Sequence, residues 1–196
     1  MEAFAITLRP LVFGLAAAFF SAGAVRAQTA SFEERLQLCG SCHGEDGNSR
    51  LENIPSLAGQ PEFFVTNQLF LMREGVRKIE AMAPFVKELK DEEMQALAAH
   101  YAKLPPQRSD EAVDQALAKR GAELVPQLRC ASCHRPDLAG QEQMPRVAKQ
   151  RIDYLIHSMK EFRDNKRSGA DTAMTAVVIG VSDADLAALA HYAASR

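Results

Sequence analysis

Apolar side chains recur every three or four positions along several segments of this chain, which is the spacing that keeps them on one face of an α-helix. Met94, Leu97 and Tyr101 show this spacing within a helix predicted over 91–103. No segment shows a convincing alternation of apolar and polar residues, the pattern typical of a half-buried strand. The pattern therefore predicts an all-α protein, with further helices running from Ser31 toward Cys39 and over 61–75, 113–128, 151–162 and 182–194.

Several of these helices begin with recognisable start signals. Ser31 is followed three residues later by Glu34, which is the capping-box pattern, and Ser182 with Asp185 resembles it. Pro61 suits the first turn of a helix, where its missing N–H costs no intrahelical hydrogen bond. The start signals agree with the helices that the apolar spacing predicts.

The chain repeats itself once. Residues 39–43 read Cys-Gly-Ser-Cys-His, and residues 130–134 read Cys-Ala-Ser-Cys-His, 91 positions later. Similar stretches follow at offsets of 90 to 92, among them 54–60 against 144–150. Self-similarity over this length indicates two copies of one domain. Two prolines followed by polar residues predict the boundary, which gives domain 1 at 30–104, a linker at 105–110 and domain 2 at 111–196.

The N-terminal segment has the pattern of a secretory signal peptide. Arg9 supplies a positive charge, and a mostly apolar run of about 14 residues follows over 11–24. That run is short of the roughly 20 residues that a membrane-spanning helix needs, so a retained anchor is the less favoured alternative. The small residues around position 27 predict a signal peptide over 1–27, with cleavage after Ala27 and Ala30 as the second choice.

Composition and charge narrow the class of protein. Hydrophobic residues make up 47% of the 196 positions and charged residues 24%, as in soluble globular proteins. The net charge of -2 is too small to indicate a nucleic-acid partner or a strongly charged substrate, and removal of 1–27 changes it only to -3, from 21 basic and 24 acidic side chains. Four cysteines are too few for a disulfide-dense scaffold.

The Cys-x-x-Cys-His motif is the attachment signature of c-type haem. Cys39 and Cys42, and likewise Cys130 and Cys133, are spaced to bond the two vinyl groups of one porphyrin, and His43 or His134 then lies over the iron. A small domain of this length also has little interior of its own, which a buried macrocycle would complete. Two motifs at matching places in a repeat predict two covalently attached haem c groups, one per domain.

Three other uses of paired cysteines compete with haem. A thioredoxin-like redox pair belongs at a strand-to-helix junction, which the all-α pattern does not provide. A four-cysteine zinc site would need the pairs about 15–20 residues apart rather than 91. Two structural disulfides in an exported protein remain an alternative, but they would not require His43 and His134 after the cysteines.

The second axial ligand of each iron is predicted from the repeat. Of the methionines beyond the signal segment, only Met82 and Met174 face each other at the offset of 92, and both are predicted in loops before the last helix of their domain. A methionine is by default a core gap-filler, so recurrence is what distinguishes these two. Ligation by a second histidine is the rival, from a set that does not recur: His100, His157 and His191. A thioether ligand favours ferrous iron and raises the reduction potential.

Polar groups around each haem are predicted with less support from the sequence. Pro55 and Pro145 recur after the histidines, and their carbonyl oxygens are candidates to accept the imidazole N–H that does not face iron. Four arginines recur at an offset of 90 and are candidates to bind haem propionates, with a solvated basic loop as the alternative: Arg73, Arg77, Arg163 and Arg167.

The doubled motif, the Ile-Pro-Ser-Leu-Ala-Gly-Gln stretch at 54–60, the recurring arginines and the proline-rich linker together resemble the cytochrome c4 family. The resemblance covers the whole chain after the signal segment. It implies two tandem class I cytochrome c domains related by a pseudo-twofold axis, with facing propionate edges. It also implies His/Met ligation of both irons, by His43 with Met82 and His134 with Met174. The second domain departs from the pattern at 144–150, which lacks the glycine of 54–60.

The resemblance further implies a function without bond chemistry on a small-molecule substrate. Family members are periplasmic electron carriers between a cytochrome bc complex and a terminal oxidase, often at the membrane surface. The main alternative is the dihaem electron-transfer subunit of a periplasmic dehydrogenase, such as a flavocytochrome sulfide dehydrogenase. A dihaem peroxidase would need one iron with an open coordination position. The recurrence of Met82 and Met174 as candidate ligands argues against that function.

Overall fold

A computed structural model of the chain describes residues 1–2, 30–167, 169 and 172–196. Within these residues the protein is helical, with a single isolated bridge between Gln141 and Met144 as the only β-type pairing. The predicted all-α class is therefore confirmed. The signal peptide predicted over 1–27, with its cleavage after Ala27, lies outside the described residues except for the first two.

The first repeat contains four helices, and the sequence explains where they begin. Ser31 caps α1 as predicted, accepting from the amide of Glu34, while the Glu34 carboxylate accepts from the Ser31 amide at 2.6 Å. Pro61 precedes α2 and leaves the chain extended before it enters the helix. The bounds are α1 (Phe32–His43), α2 (Glu62–Arg73), α3 (Ala83–Val86) and α4 (Asp91–Lys103).

The second repeat has five helices in its described part: α5 (Gln115–Gln127), α6 (Ala131–His134), α7 (Ile152–Arg163), α8 (Thr172–Val178) and α9 (Asp183–Ala194). Here the helix before the Cys-x-x-Cys-His motif ends early, because Arg129 adopts a positive φ of 54° and the chain restarts as α6. In the first repeat α1 runs without a break through the whole motif.

The prediction of loops around the two candidate methionines is wrong in one respect. Met174 lies inside α8, and Met82 is the residue that precedes the short helix α3. Four of the seven residues over 172–178 are threonine or valine, whose weak helix propensities gave no sequence signal, and α8 packs against α7. No single helix of the described part is long and apolar enough to cross a membrane, and α8 and α9 reach that length and apolar character only as a pair bent by 115°.

The first and last long helices of the second repeat cross closely at Gly121. A Cβ built at this position would overlap the main-chain oxygen of Ala188 in α9 and come within 2.6 Å of the Tyr192 Cβ. Because Gly121 has no side chain, the backbone of α5 can lie directly against α9 at this point.

The two repeats meet through a reciprocal set of buried hydrogen bonds. The Gln60 amide donates to the Arg146 carbonyl oxygen and accepts from the Arg146 N–H, both at 3.0 Å. At the equivalent place the Gln150 amide donates to the Ser56 carbonyl oxygen at 2.9 Å and accepts from the Ser56 N–H at 2.8 Å. Gln150 follows Gln60, and Arg146 follows Ser56, at the same offset of 90. The contact therefore relates the repeats by an approximate twofold rotation.

Residues 104–114 between α4 and α5 form no helix, and they are held to both repeats. The amide of Gln107 donates to the Asn48 side-chain oxygen at 2.8 Å, and the Arg108 guanidinium donates to the Ser195 carbonyl oxygen at 2.6 Å. We retain 105–110 as the proposed linker between domains at 30–104 and 111–196.

Candidate haem-attachment sites

The last turn of α1 brings the three chemical groups of the first motif onto one side of the helix. Cys39, Cys42 and His43 are spaced by three and four positions, which places their side chains next to one another on a helical surface. Cys42 is exposed, whereas Cys39 is partly buried and burial raises the pKa of its thiol. Both thiols are free, so the motif offers one inward and one outward sulfur for thioether bonds.

The second motif repeats this arrangement around α6. Cys130 lies at the start of the short helix, and Cys133 and His134 end it. Cys133 is exposed and Cys130 is partly buried, with its thiol pKa again raised by burial. In the described part of the chain, no three or more histidine, cysteine, aspartate or glutamate side chains form a group placed to hold a metal ion.

Both motif histidines are buried and oriented by a proline carbonyl. The Nδ1 atom of His43 lies 2.8 Å from the Pro55 oxygen, and Nδ1 of His134 lies 2.8 Å from the Pro145 oxygen. With Nδ1 carrying the proton, each ring presents an unprotonated Nε2, the form that binds iron. Burial lowers the pKa of His43 below its ordinary value, although its hydrogen bond to Pro55 opposes this. The geometry fits a neutral imidazole ligand.

Each candidate methionine shares an apolar cluster with the first cysteine of its own motif. Met82 and Cys39 pack against the buried cluster of Val86, Leu89, Met94 and Leu97. Met174 and Cys130 pack against the equivalent cluster in the second repeat, formed by Leu124, Val178, Leu186, Ala188 and Leu189. The two ends of a haem-binding site, thiol and thioether, thus converge on one core in both repeats.

The rival histidines occupy structural positions. His100 lies edge-on to the rings of Phe32 and Tyr101, at centroid distances of 6.0 and 5.3 Å. His191 accepts a hydrogen bond from the Asp114 amide at 3.0 Å, next to the start of α5. His157 is exposed and lies 3.6 Å from Glu161 on the same helix. These positions do not recur between the repeats.

The four candidate arginines separate into two pairs with different surroundings. Arg73 donates to the Leu89 carbonyl oxygen at 2.9 Å and to Asp91 at 2.7 Å. Its equivalent Arg163 binds the Val181 carbonyl oxygen at 3.2 Å and pairs with Asp183. Each of these two arginines therefore already has a carboxylate and fastens the start of the last helix of its repeat. Their binding to haem propionates stays a prediction.

Arg77 and Arg167, from different repeats, both lie near Tyr154. Burial alone would raise the pKa of this phenol, but the positive charges of the two guanidinium groups lower it. Arg77 also donates to Gln68 at 2.6 Å, and Arg167 to Ser158 at 2.7 Å. Burial lowers the pKa of Arg77. Arg167 also lies 3.7 Å from the Glu161 carboxylate, so this pair of cations already has one acidic neighbour.

Sequence reasoning missed Gln60, Gln150 and Tyr154 as polar residues of the domain interface. The recurrence of glutamine at 60 and 150 was a signal, because a polar residue repeated within a buried segment needs a partner. Tyr154 gave none, since its counterpart at the offset of 90 is Phe64.

Family models match both halves of the chain. Residues 118–195 match the model described as cytochrome c, and residues 25–100 match the model described as cytochrome c oxidase, cbb3-type, subunit III. Each match contains one complete Cys-x-x-Cys-His motif and its candidate methionine. The two repeats are therefore two cytochrome c domains, and cytochrome c domains imply covalently bound haem c.

Similar proteins extend over nearly the whole chain. Cytochrome c4 of Pseudomonas aeruginosa is 30% identical over 193 residues, 93% of this chain and 93% of its own. The crystal structure of reduced recombinant cytochrome c4 from Pseudomonas stutzeri matches with a TM-score of 0.73 at 29% identity, covering 85% of this chain and 99% of that one. A protein of Thiomonas intermedia named thiosulfate dehydrogenase electron acceptor is 30% identical over 169 residues, 81% of this chain and 78% of its own.

Sequence similarity, architecture and the order of motif, proline and methionine agree in both halves. The protein is an electron carrier rather than an enzyme, as the cytochrome c4 relatives are. The chain belongs to the cytochrome c4 family.

Proposed function

We propose that this protein is a periplasmic dihaem carrier that transfers one electron at a time through two His/Met-ligated haems. Cys39 and Cys42 would hold the first haem and Cys130 and Cys133 the second. The iron ligands would be His43 with Met82 and His134 with Met174. The observation that carries the proposal is the placement of each methionine in the same apolar cluster as the first cysteine of its motif, in both domains.

The protein's own residues would set the properties of the two centres. Haem supplies one-electron chemistry, with iron changing between the ferrous and ferric states. The Pro55 and Pro145 carbonyls fix the tautomer and orientation of the histidines. The apolar clusters exclude water from the methionine side, and a neutral thioether there raises the reduction potential. With a histidine and a methionine both bound, neither iron would have a position open for a substrate.

Charged groups of the haems would meet the arginine pair at the domain interface. Arg77 and Arg167 both lie near Tyr154, and their positive charges suit a propionate carboxylate. For Arg73 and Arg163 a propionate would have to displace or share the contacts to Asp91 and Asp183. Arg167 would likewise have to share Glu161, which lies 3.7 Å away, so we expect Arg77 to contribute more to haem binding than Arg73 and Arg163.

The test is a redox titration of the mature protein followed by visible absorption spectroscopy, with the number of covalent haems per chain measured separately. Two haems per chain, both low-spin and both with the far-red band of methionine-ligated ferric haem, are expected. One haem, a high-spin component, or a missing methionine band on either centre would overturn the proposal. N-terminal sequencing of the exported protein tests the periplasmic location, with Gln28 as the expected first residue after cleavage at Ala27.

For the partners we propose a membrane cytochrome bc complex as donor and a terminal oxidase as acceptor, with the carrier associated peripherally with the membrane. The second candidate is service to a periplasmic dehydrogenase. A relative named thiosulfate dehydrogenase electron acceptor, matched over 81% of this chain, favours a thiosulfate-oxidising enzyme over the flavocytochrome sulfide dehydrogenase considered from the sequence. Reduction rates with purified bc complex and with purified thiosulfate dehydrogenase, at equal concentrations, distinguish the two donors.

A further inference from the structure

Arg146 is a buried cation at the domain interface. Its side chain is 3% exposed, and burial lowers its pKa to about 10, so that it is still charged at neutral pH. The Nε atom donates to the Ala58 carbonyl oxygen at 3.0 Å, and Nη1 donates to the Ala148 carbonyl oxygen. Ala58 and Ala148 are equivalent positions of the repeat. The guanidinium thus bridges the two domains between matching carbonyls.

The third nitrogen of the Arg146 guanidinium has no hydrogen-bond partner among the described residues. This atom, Nη2, is fully buried. Neither the ion pairs nor the hydrogen bonds of the described residues include a carboxylate at Arg146. A buried charge without a counter-ion is strongly unfavourable, and buried polar groups without partners are rare in native proteins.

Another buried arginine at the interface, Arg151, is neutralised by carboxylates of the chain itself. Arg151 is 5% exposed and lies within 3.8 Å of three carboxylates, those of Asp110, Glu111 and Asp153. Arg146, five residues earlier, has none. The difference indicates that the anion for Arg146 comes from outside the polypeptide.

The fold does not require an arginine at this position. The equivalent residue of domain 1 is Ser56, which is also buried and is held by the same type of glutamine contact through its main chain. Arg146 follows Pro145, which orients His134, and its guanidinium contacts Ala58, three residues after Pro55. The cation therefore lies between the two segments that hold the motif histidines.

We propose that Arg146 Nη2 binds a haem propionate carboxylate in the domain interface, and that this single buried cation raises the electron affinity of the haem that owns the carboxylate. The inference rests on the proposed function, because haem is the source of the carboxylate. A charge-assisted hydrogen bond would satisfy the orphaned nitrogen, and a nearby positive charge favours the electron-rich ferrous state. Ser56 gives domain 1 no equivalent cation of its own.

The experiment compares the two midpoint potentials of the dihaem protein with those of Arg146→Gln and Arg146→Lys. Arg120→Gln is the control, since Arg120 is a half-exposed arginine of the same domain whose carboxylate partners are Glu123 and Asp185. In Arg146→Gln we expect one haem to shift about tenfold toward the oxidised form at a fixed potential, about 59 mV for a one-electron couple. Arg146→Lys keeps the charge and should shift less, and Arg120→Gln should shift less than twofold.

The haem whose potential falls identifies the carboxylate. If both haems remain bound and neither potential falls further in Arg146→Gln than in the control, the proposal is wrong, whereas loss of haem from the wild-type protein would refute the proposed function instead. A crystal structure of the dihaem wild-type protein decides the matter even if the glutamine variant does not fold. It should show Nη2 at about 3 Å from a propionate oxygen, and a solvent molecule alone at Nη2 would overturn the proposal.

Discussion

Gln60 in the first domain binds both main-chain polar atoms of Arg146 in the second, with two hydrogen bonds of 3.0 Å. The side-chain amide of Gln60 pairs with the N–H and the carbonyl oxygen of Arg146, as the main chain of an adjacent β-strand would. Both residues are buried. Gln150 repeats the contact on Ser56. The domain interface therefore depends on two neutral carboxamides as well as on charged groups.

Replacing Gln60 or Gln150 by leucine should destabilise the protein by about 1–3 kcal/mol each, because a buried N–H and a buried carbonyl lose their partners. Guanidinium-induced unfolding of the dihaem protein, followed by circular dichroism, measures the change. Gln127→Leu, at an exposed position near the end of α5, is the control and should change stability by less than about 0.5 kcal/mol. Equal stabilities of the three variants would show that these amide contacts contribute nothing.

Replacing either candidate methionine ligand, Met82 or Met174, by leucine should affect one haem only. Met82→Leu removes the thioether but keeps the volume, so we expect half of the far-red methionine band to disappear and one reduction potential to fall. Met174→Leu should do the same at the other centre. Met94→Leu and Met159→Leu make the same chemical change in the same clusters and should leave both bands intact. A full band in Met82→Leu would assign that ligand elsewhere.

Alanine at Gly121 tests the closeness of α5 and α9. Helix propensity alone predicts that Gly121→Ala stabilises α5 by roughly 0.5–1 kcal/mol. The overlap of the new Cβ with Ala188 predicts instead a loss of about 1–3 kcal/mol, since the helices must separate. Thermal unfolding gives the sign. Gly75→Ala is the comparison, because Gly75 has a φ of 68° but open space around it, so only backbone strain is tested there.

Acid should weaken the ion pair between Asp46 and Arg50, close to the first motif, over a defined pH range. Arg50 is the main cause that holds the pKa of Asp46 down at about 2, with the Asn48 amide contributing. Because the folded value lies below the ordinary one of 3.8, the stabilisation is present above about pH 4 and is lost as the pH falls toward 2. The pair is exposed to solvent, so it contributes less than about 1 kcal/mol.

The measurement compares the unfolding free energies of the wild type and Asp46→Asn at several pH values. Their difference should be constant between pH 5 and 7 and should vanish toward pH 2. Glu52→Gln, at an exposed carboxylate of the same domain, controls for general charge effects. A difference that persists at pH 2 would mean that Asp46 stabilises through something other than its charge.

Local signals such as helix caps and apolar periodicity predicted most of the helices, because these signals act within a few residues. The Ser31 capping box and the helix Asp91–Lys103 are present as predicted. The helix around Met174 had no such signal, since four of its seven residues are threonine or valine, which are weak helix formers, and it packs against α7. The internal repeat compensated at the site, because it singled out Met82 and Met174 without any knowledge of the fold.

Contacts between elements could not be predicted in the same way. Whether Gly121 lies at a helix crossing depends on which helix packs against it, and no period in the sequence records that choice. The same holds for Arg146, whose burial follows from the rotation between the domains. For Arg73 and Arg163, recurrence predicts a haem contact, and the contacts that the structure shows are to Asp91 and Asp183.

The paired glutamine contacts have a consequence for how such a chain could arise. Each domain presents the same element, a glutamine and the main chain four residues before it, so the surface is complementary to a copy of itself. A single-domain ancestor with this surface would form a symmetric, isologous homodimer. Gene duplication and fusion through a short connector would then convert that association into an intramolecular one, which no longer depends on protein concentration.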